Sequence, residues 1–329
     1  MLQKLLDKGA GDDAEYGGDL SNHLPMALVA LKRLGASDTR LAAFARSYRR
    51  QKKLPVAPPA AAWPAGEAWA SHFGDRSAWP AYRALFAQWL VIEGGAAVVT
   101  QALPALMPGC GAAAFHGLIR TAYALQVGHA GELADGLAYW ACRHLRFGER
   151  PQGRQADPAK LLGELVAAFA DQPPVRSRLI LERMLAAASA PSTAPTFARI
   201  TQRLKVSDTT LAMLARQAAE VYAGSGNFTA LHLVTSAHAL RVILPLANEP
   251  LDAVGDYWVA YAAGVLASKV ALDKLDAAPE PLPWPELVAA AVASDDDHLI
   301  KIVDSCREEE RAYGGDDWQR AATRAVSAA

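Results

Sequence analysis

The chain has 329 residues, 52% of them hydrophobic, enough to bury a core in one large domain or two ordinary ones. Lys+Arg is 33 and Asp+Glu is 34, a formal net charge of -1, so nothing favours nucleic acid or an anionic membrane surface. Cys110, Cys142 and Cys306 lie far apart with no CxxC pair, which argues against a zinc ribbon and a disulfide framework; each reads as a small buried side chain.

The first residues, "MLQKLLDKGAGDDAEYGG", lack the apolar core and cleavage site of a signal peptide. No uninterrupted apolar run reaches the ~18 residues of a membrane span. The nearest, "GAAVVTQALPALMPG", is interrupted by Pro104 and Pro108. A soluble cytoplasmic protein is the expectation.

Helical spacing dominates and strand alternation is hard to find. In "SNHLPMALVALKRLGAS", Ser21 or Asn22 can cap the start and Pro25 falls in the first turn. Leu24, Leu28 and Leu31 share a face, Lys32 and Arg33 suit the negative end of the dipole, and Gly35 can stop the helix. A second helix follows at 38–51. Residues 54–80, rich in Pro, Ala and Trp, predict an extended loop whose tryptophans pack it onto the body. Further helices are predicted at 81–103, 112–127, 131–147, 158–171, 175–188, 207–223, 227–246, 252–274, 284–294 and 296–312. "SAPSTAPTF", 189–197, is a candidate internal linker. No fixed repeat supports a solenoid. The predicted fold is all-α: a single large multi-helix domain with a Pro/Trp-rich wrapping loop.

Several chemistries lack their motifs. No GxGxxG follows a strand, and there is no GxxxxGK[ST], HExxH or GxSxG. "GSGN" at 224–227 has no strand before it and reads as a helix-start turn. Dinucleotide-fold flavoenzymes, P-loop NTPases, common zinc proteases and ordinary serine hydrolases are disfavoured.

The histidines are more informative. His23, His116, His232 and His298 sit in helices or at helix starts among apolar neighbours. Taken alone, each is ordinarily a hydrogen-bonded core residue. At about 100° per residue, His116 shares a face with Ile119, Arg120 and Tyr123, and His232 with Thr235, Ser236, Ala239 and Ile243. His298 falls within the arc of Leu299, Ile302 and Cys306, flanked by Lys301 and Ser305, with Asp304 and Arg307 pointing elsewhere. Three histidines on three helices therefore face inward, beside polar groups that a plain core does not need. Bundled helices build metal sites from such side chains, and imidazoles suit iron, zinc or copper.

Four neutral imidazoles leave a divalent ion's charge unbalanced. No acid on these arcs has a convincing spacing, and Asp295, Asp296 and Asp297 suit the helix N-terminus. Lys301 ordinarily reaches solvent. Buried beside a cation, it becomes a neutral amine that can add carbon dioxide to form an anionic carbamate.

"NHLPMALVALKRLGAS", "FHGLIRTAYAL" followed by "ELADGLAYWA", "LHLVTSAHALRVILPL" and "DDHLIKIV" together resemble, in order, the signature blocks of the questin oxidase-like family. The blocks span roughly 20–310 and imply a single all-helical domain of that family over 1–329. The resemblance implies oxygenase chemistry on polycyclic aromatics such as anthraquinones: ring opening by insertion of oxygen beside a carbonyl, a Baeyer–Villiger-type outcome. NADPH is associated with that activity, although no nucleotide-binding motif is visible here. Carried over, His23, His116, His232 and His298 would hold non-haem iron, and Lys301 would be the carbamate ligand. The fungal members are longer, so substrate identity does not transfer.

On this reading Arg120 can pair with a phenolate or carboxylate of the substrate, and Tyr123 and Tyr139 can hydrogen-bond its oxygens. The ordinary alternatives are an ion pair and core hydroxyls. His238, six residues after His232, points about 120° away and reads as structural. The partners expected are a small aromatic substrate and dioxygen. Two other readings stay open: a metal-free NADPH-dependent oxygenase, and a non-catalytic helical protein that binds an aromatic metabolite with 54–80 as lid or wall.

Overall fold

Long apolar stretches punctuated by Gly, Pro and capping residues give helices that pack side by side. The computed structural model describes residues 1–328, and among these it has 16 α-helices and one two-stranded antiparallel hairpin, so the protein is all-α. The chain opens with α1 (Leu2–Gly9), the hairpin β1 (Glu15–Tyr16) and β2 (Leu20–Ser21), then α2 (Leu24–Arg33) and α3 (Asp38–Lys52). After the loop come α4 (Trp79–Glu93), α5 (Gly95–Leu106), α6 (His116–Val127), α7 (Ala130–Cys142) and α8 (Pro158–Ala168). The rest is α9 (Ile180–Ala188), α10 (Ala194–Thr201), α11 (Thr210–Ser225), α12 (Phe228–Ile243) and α13 (Pro250–Ser268), then α14 (Trp284–Ala293), α15 (Asp297–Tyr313) and α16 (Asp317–Ser327).

Four helices position the site. α2 packs on α6, α6 on α12, α12 on α15, and α15 back on α2, a closed ring of neighbours. Each is apolar enough to be buried on several sides; α12 has Leu231, Leu233, Val234, Ala237, Leu240 and Ile243 in the core. The segment Phe228–Leu246 has the length and hydropathy of a membrane span, yet most of it is buried inside this ring. Around it, α7 covers α6 and α4 packs behind α7, α16 covers α15, α11 packs on α12 and α16, and α13 packs on α12 and α9.

The predicted loop wraps as expected. Trp63 lies 4.8 Å from Tyr82 and Trp69 5.8 Å from Phe86, ring centre to ring centre, which fastens the loop to α4. The candidate linker is a turn followed by α10, whose Phe197 is buried.

Boundaries depart from expectation where the backbone takes special angles. The single helix expected over 81–103 is two, because Gly94 turns to φ 82° between them. The helix expected from 112 begins at His116, because Ala113, Ala114 and Phe115 adopt φ 46°, 53° and 69°. α1, α10 and α16, of 8, 8 and 11 residues, lie outside the predicted helices although each has a clear apolar face.

Candidate metal centre

The four ring-forming helices bring their starts together. His23 immediately precedes α2, His116 opens α6, His298 is the second residue of α15, and His232 lies one turn into α12. Helical side chains tilt toward the N-terminus, so residues at these positions project past the helix ends into common space. The rings of His23 and His116 stack at 4.5 Å; His23 and His298 are 4.7 Å apart, His116 and His232 5.2 Å, and His232 and His298 5.5 Å, ring centre to ring centre. The structure therefore brings together all four histidines singled out in the sequence.

Each imidazole has its Nδ1 turned to an oxygen. His116 faces the Ala113 carbonyl, His232 the Phe228 carbonyl at 2.9 Å, His23 the Asp297 carboxylate, and His298 the same carboxylate at 3.3 Å. These partners assign the proton to Nδ1 and leave a lone pair on Nε2. The Nε2 atoms of His23 and His116 approach to 2.6 Å, and the buried Nε2 of His298 has no hydrogen-bond partner. Two lone pairs that close repel unless a proton or a cation lies near both. A proton is disfavoured: burial, then the Lys301 charge, lowers the His23 pKa to about 3. Burial likewise holds His116 and His232 well below the usual imidazole range. This donor set fits a metal ion that prefers nitrogen.

The strained turn before α6 serves the same end. Ala113, Ala114 and Phe115 lie in the left-handed region, at a cost of roughly 1–2 kcal/mol per residue. That turn presents the Ala113 carbonyl to His116 Nδ1.

Asp297 corrects the sequence reading, which found no acid on the inward arcs and gave all three aspartates to the helix terminus. Asp296 alone caps α15, accepting from the backbone N–H of His298 at 2.8 Å. Asp295 pairs with Arg40 at 2.8 Å. Asp297 is buried, and its Oδ2 meets both His23 and His298 because the starts of α2 and α15 pack together. Burial opposes its charge, but His23, His298 and Lys301 outweigh that and keep the carboxyl well below its usual range. It supplies the anion that the histidines lack.

Lys301 is 2% exposed, so it does not reach solvent. Its Nζ lies 3.9 Å from Asp297 Oδ2, and burial lowers its pKa to about 8. A substantial neutral fraction of the amine therefore exists near physiological pH.

The histidine cluster floors a cavity of about 340 Å³. Leu20, Leu179, Ile180, Leu181 and Phe228 give it apolar walls, and the β1–β2 hairpin and the start of α9 form its rim. Phe228 packs edge-on against His232 at 4.8 Å and His298 at 4.7 Å.

Arg120, Tyr123 and Tyr139, expected to meet substrate, are absent from the lining. Arg120 is buried between α6 and α7, donating to Glu132 at 3.0 Å and Asp135 at 3.3 Å. Tyr123 lies behind α15, its hydroxyl 3.5 Å from the Lys301 carbonyl and from Ser305 Oγ. Tyr139 donates to Glu15 Oε1 at 2.9 Å and so braces a rim residue from behind. These pairings cross between helices, so a one-helix face analysis misses them. His238 is likewise removed from the cluster, bonded to Glu309 at 2.6 Å.

Among curated proteins nothing matches the chain. The family model described as questin oxidase-like matches residues 20–306. That span begins in the hairpin at the cavity rim and takes in all four histidines, Asp297 and Lys301, and the chain belongs to the questin oxidase-like family.

Proposed function

We propose that this oxidoreductase inserts oxygen into, or opens, a ring of a polycyclic aromatic substrate at a non-haem iron centre. The observation that carries the reading is the set of four imidazoles at the starts of α2, α6, α12 and α15, each with Nδ1 turned to an oxygen, at the floor of an apolar cavity. His23, His116, His232 and His298 would hold the iron, and Lys301, once carboxylated, would add an anionic oxygen ligand. Bound iron would supply the binding and reduction of dioxygen. NADPH enters as reductant on the family likeness alone.

The protein's own groups do the rest. Nδ1 contacts with backbone carbonyls fix the rings of His116 and His232, and Asp297 fixes those of His23 and His298. The Asp297 carboxylate offsets cationic charge in a buried setting. Leu179, Ile180, Leu181 and Phe228 offer flat apolar surface to an aromatic face and keep water from the floor. Lys301, neutral above about pH 8, can attack carbon dioxide through its amine lone pair and release one proton to form the carbamate.

Protein purified under reducing, iron-replete conditions is expected to carry one iron per chain by elemental analysis, and to consume oxygen with a member of an anthraquinone panel. Iron-free protein that consumes oxygen with NADPH would instead support the metal-free oxygenase. Binding without any oxygen uptake would leave a helical carrier of aromatic metabolites.

A further inference from the structure

We infer that the cavity rim is a subsite for an anionic group on the substrate, read by Arg178. This deepens the functional reading above and rests on it for the identity of the cavity.

Arg178 lines the rim at the start of α9, next to the apolar wall of Leu179 and Ile180. Its guanidinium is held in place by the hairpin across the cavity: Nη2 donates to the carbonyls of Gly17 and Gly18, the latter at 3.0 Å. The turn is built for this approach. Gly18 has φ 83°, and a Cβ there would sit 2.5 Å from Arg178 Nη2. The guanidinium is thus oriented before any ligand arrives, which lowers the ordering cost of binding.

Carbonyl oxygens satisfy N–H groups but do not neutralise a charge. Among the described residues no carboxylate lies within 4.0 Å of Arg178. The neighbouring Arg143 differs: its partners are Glu15 and Asp19, the latter at 2.8 Å. Glu15 is further occupied by Arg76 at 2.8 Å and by Tyr139. The rim acids other than Glu182 are therefore paired, and Glu182 is exposed in the first turn of α9. A guanidinium with free N–H groups and an unpaired charge suits a carboxylate or phenolate.

The rest of the substrate would lie along the Leu179–Ile180 wall, its acid on Arg178 at the rim and its opposite edge over the histidines.

The test is binding, read by quenching of tryptophan fluorescence, with anthraquinone-2-carboxylate and its neutral carboxamide as probes. The wild type is expected to prefer the carboxylate by about tenfold, the worth of one charge-assisted hydrogen bond. Arg178→Gln should erase that preference while leaving carboxamide affinity in place, and Arg178→Lys should keep part of it. Glu182→Gln should strengthen carboxylate binding a few-fold, and added salt should weaken it. Equal affinity for both probes in the wild type would overturn the inference, as would an equal loss of both in Arg178→Gln, which would mark a purely structural latch. In either case, oxygen uptake with a quinone would leave the oxygenase reading standing. Failure to bind either quinone would overturn both.

Discussion

The same three helices carry two buried histidine clusters with opposite character. Where α6, α12 and α15 begin, His116, His232 and His298 gather under a cavity, ring centres 5.2 Å apart for the first pair and 5.5 Å for the second, and the buried Nε2 of His298 has no hydrogen-bond partner. Farther along the same helices, His238 is 1% exposed and has both ring nitrogens engaged, Nδ1 by Glu309 at 2.6 Å and Nε2 by Gln126 at 3.1 Å. Arg241 closes that second cluster on Glu309 at 2.7 Å. The residue types are alike. What separates a candidate centre from a structural clasp is whether lone pairs remain unused and whether a ligand can reach them.

The sharpest way to break this comparison is to delete one histidine from each cluster. His116→Ala is expected to lower metal affinity by more than about 100-fold, beyond the 10–100-fold usual for groups that only orient ligands. Its helical circular dichroism should be retained. His238→Ala should leave metal content unchanged and cost about 2–3 kcal/mol of stability in urea melts, because Glu309 loses a buried partner. Metal loss in His238→Ala at full stability would abolish the distinction.

Asp297→Asn refines it. An amide can still accept from His23 but carries no charge, so metal affinity should fall about 10–100-fold. Bicarbonate should raise the metal occupancy of the wild type, increasingly as pH climbs through about 8, and leave Lys301→Ala unmoved. An absent bicarbonate effect would remove Lys301 from the ligand set.

Acid should separate the two states of the histidines. An unfolded histidine takes its proton near pH 6.5, whereas folded His23 resists until about pH 3. Below pH 6.5 the unfolded chain therefore binds more protons, and the stability of metal-free protein should decline as pH falls from about 6.5 toward about 3. Lys301 acts at the other end. Its lowered folded pKa means that stability gains as pH rises from about 8 toward 10.5. Urea melts across this range would show both slopes. The smallest effect expected is in Ala114→Gly, which relieves a left-handed alanine at the price of a looser unfolded chain; the net gain should stay under about 1 kcal/mol.

Much of this site was legible in the chain, and for a definite reason. Helical periodicity is local, so the inward faces of His116, His232 and His298 follow from spacing alone. Asp297 escaped because an acid at a helix start ordinarily serves the helix; only the meeting of α2 with α15 turns it inward. The partners of Arg120 lie on α7, outside any single-helix wheel. The break at Gly94 lay inside an apolar run. Alanine carries no signal for positive φ, so the turn at 113–115 was invisible.

The convergence of helix starts also bears on how the protein matures. His23 and Asp297 meet although 274 positions separate them, so the cluster forms only once α2 and α15 have docked, and any ion it takes would enter an already folded ring of helices.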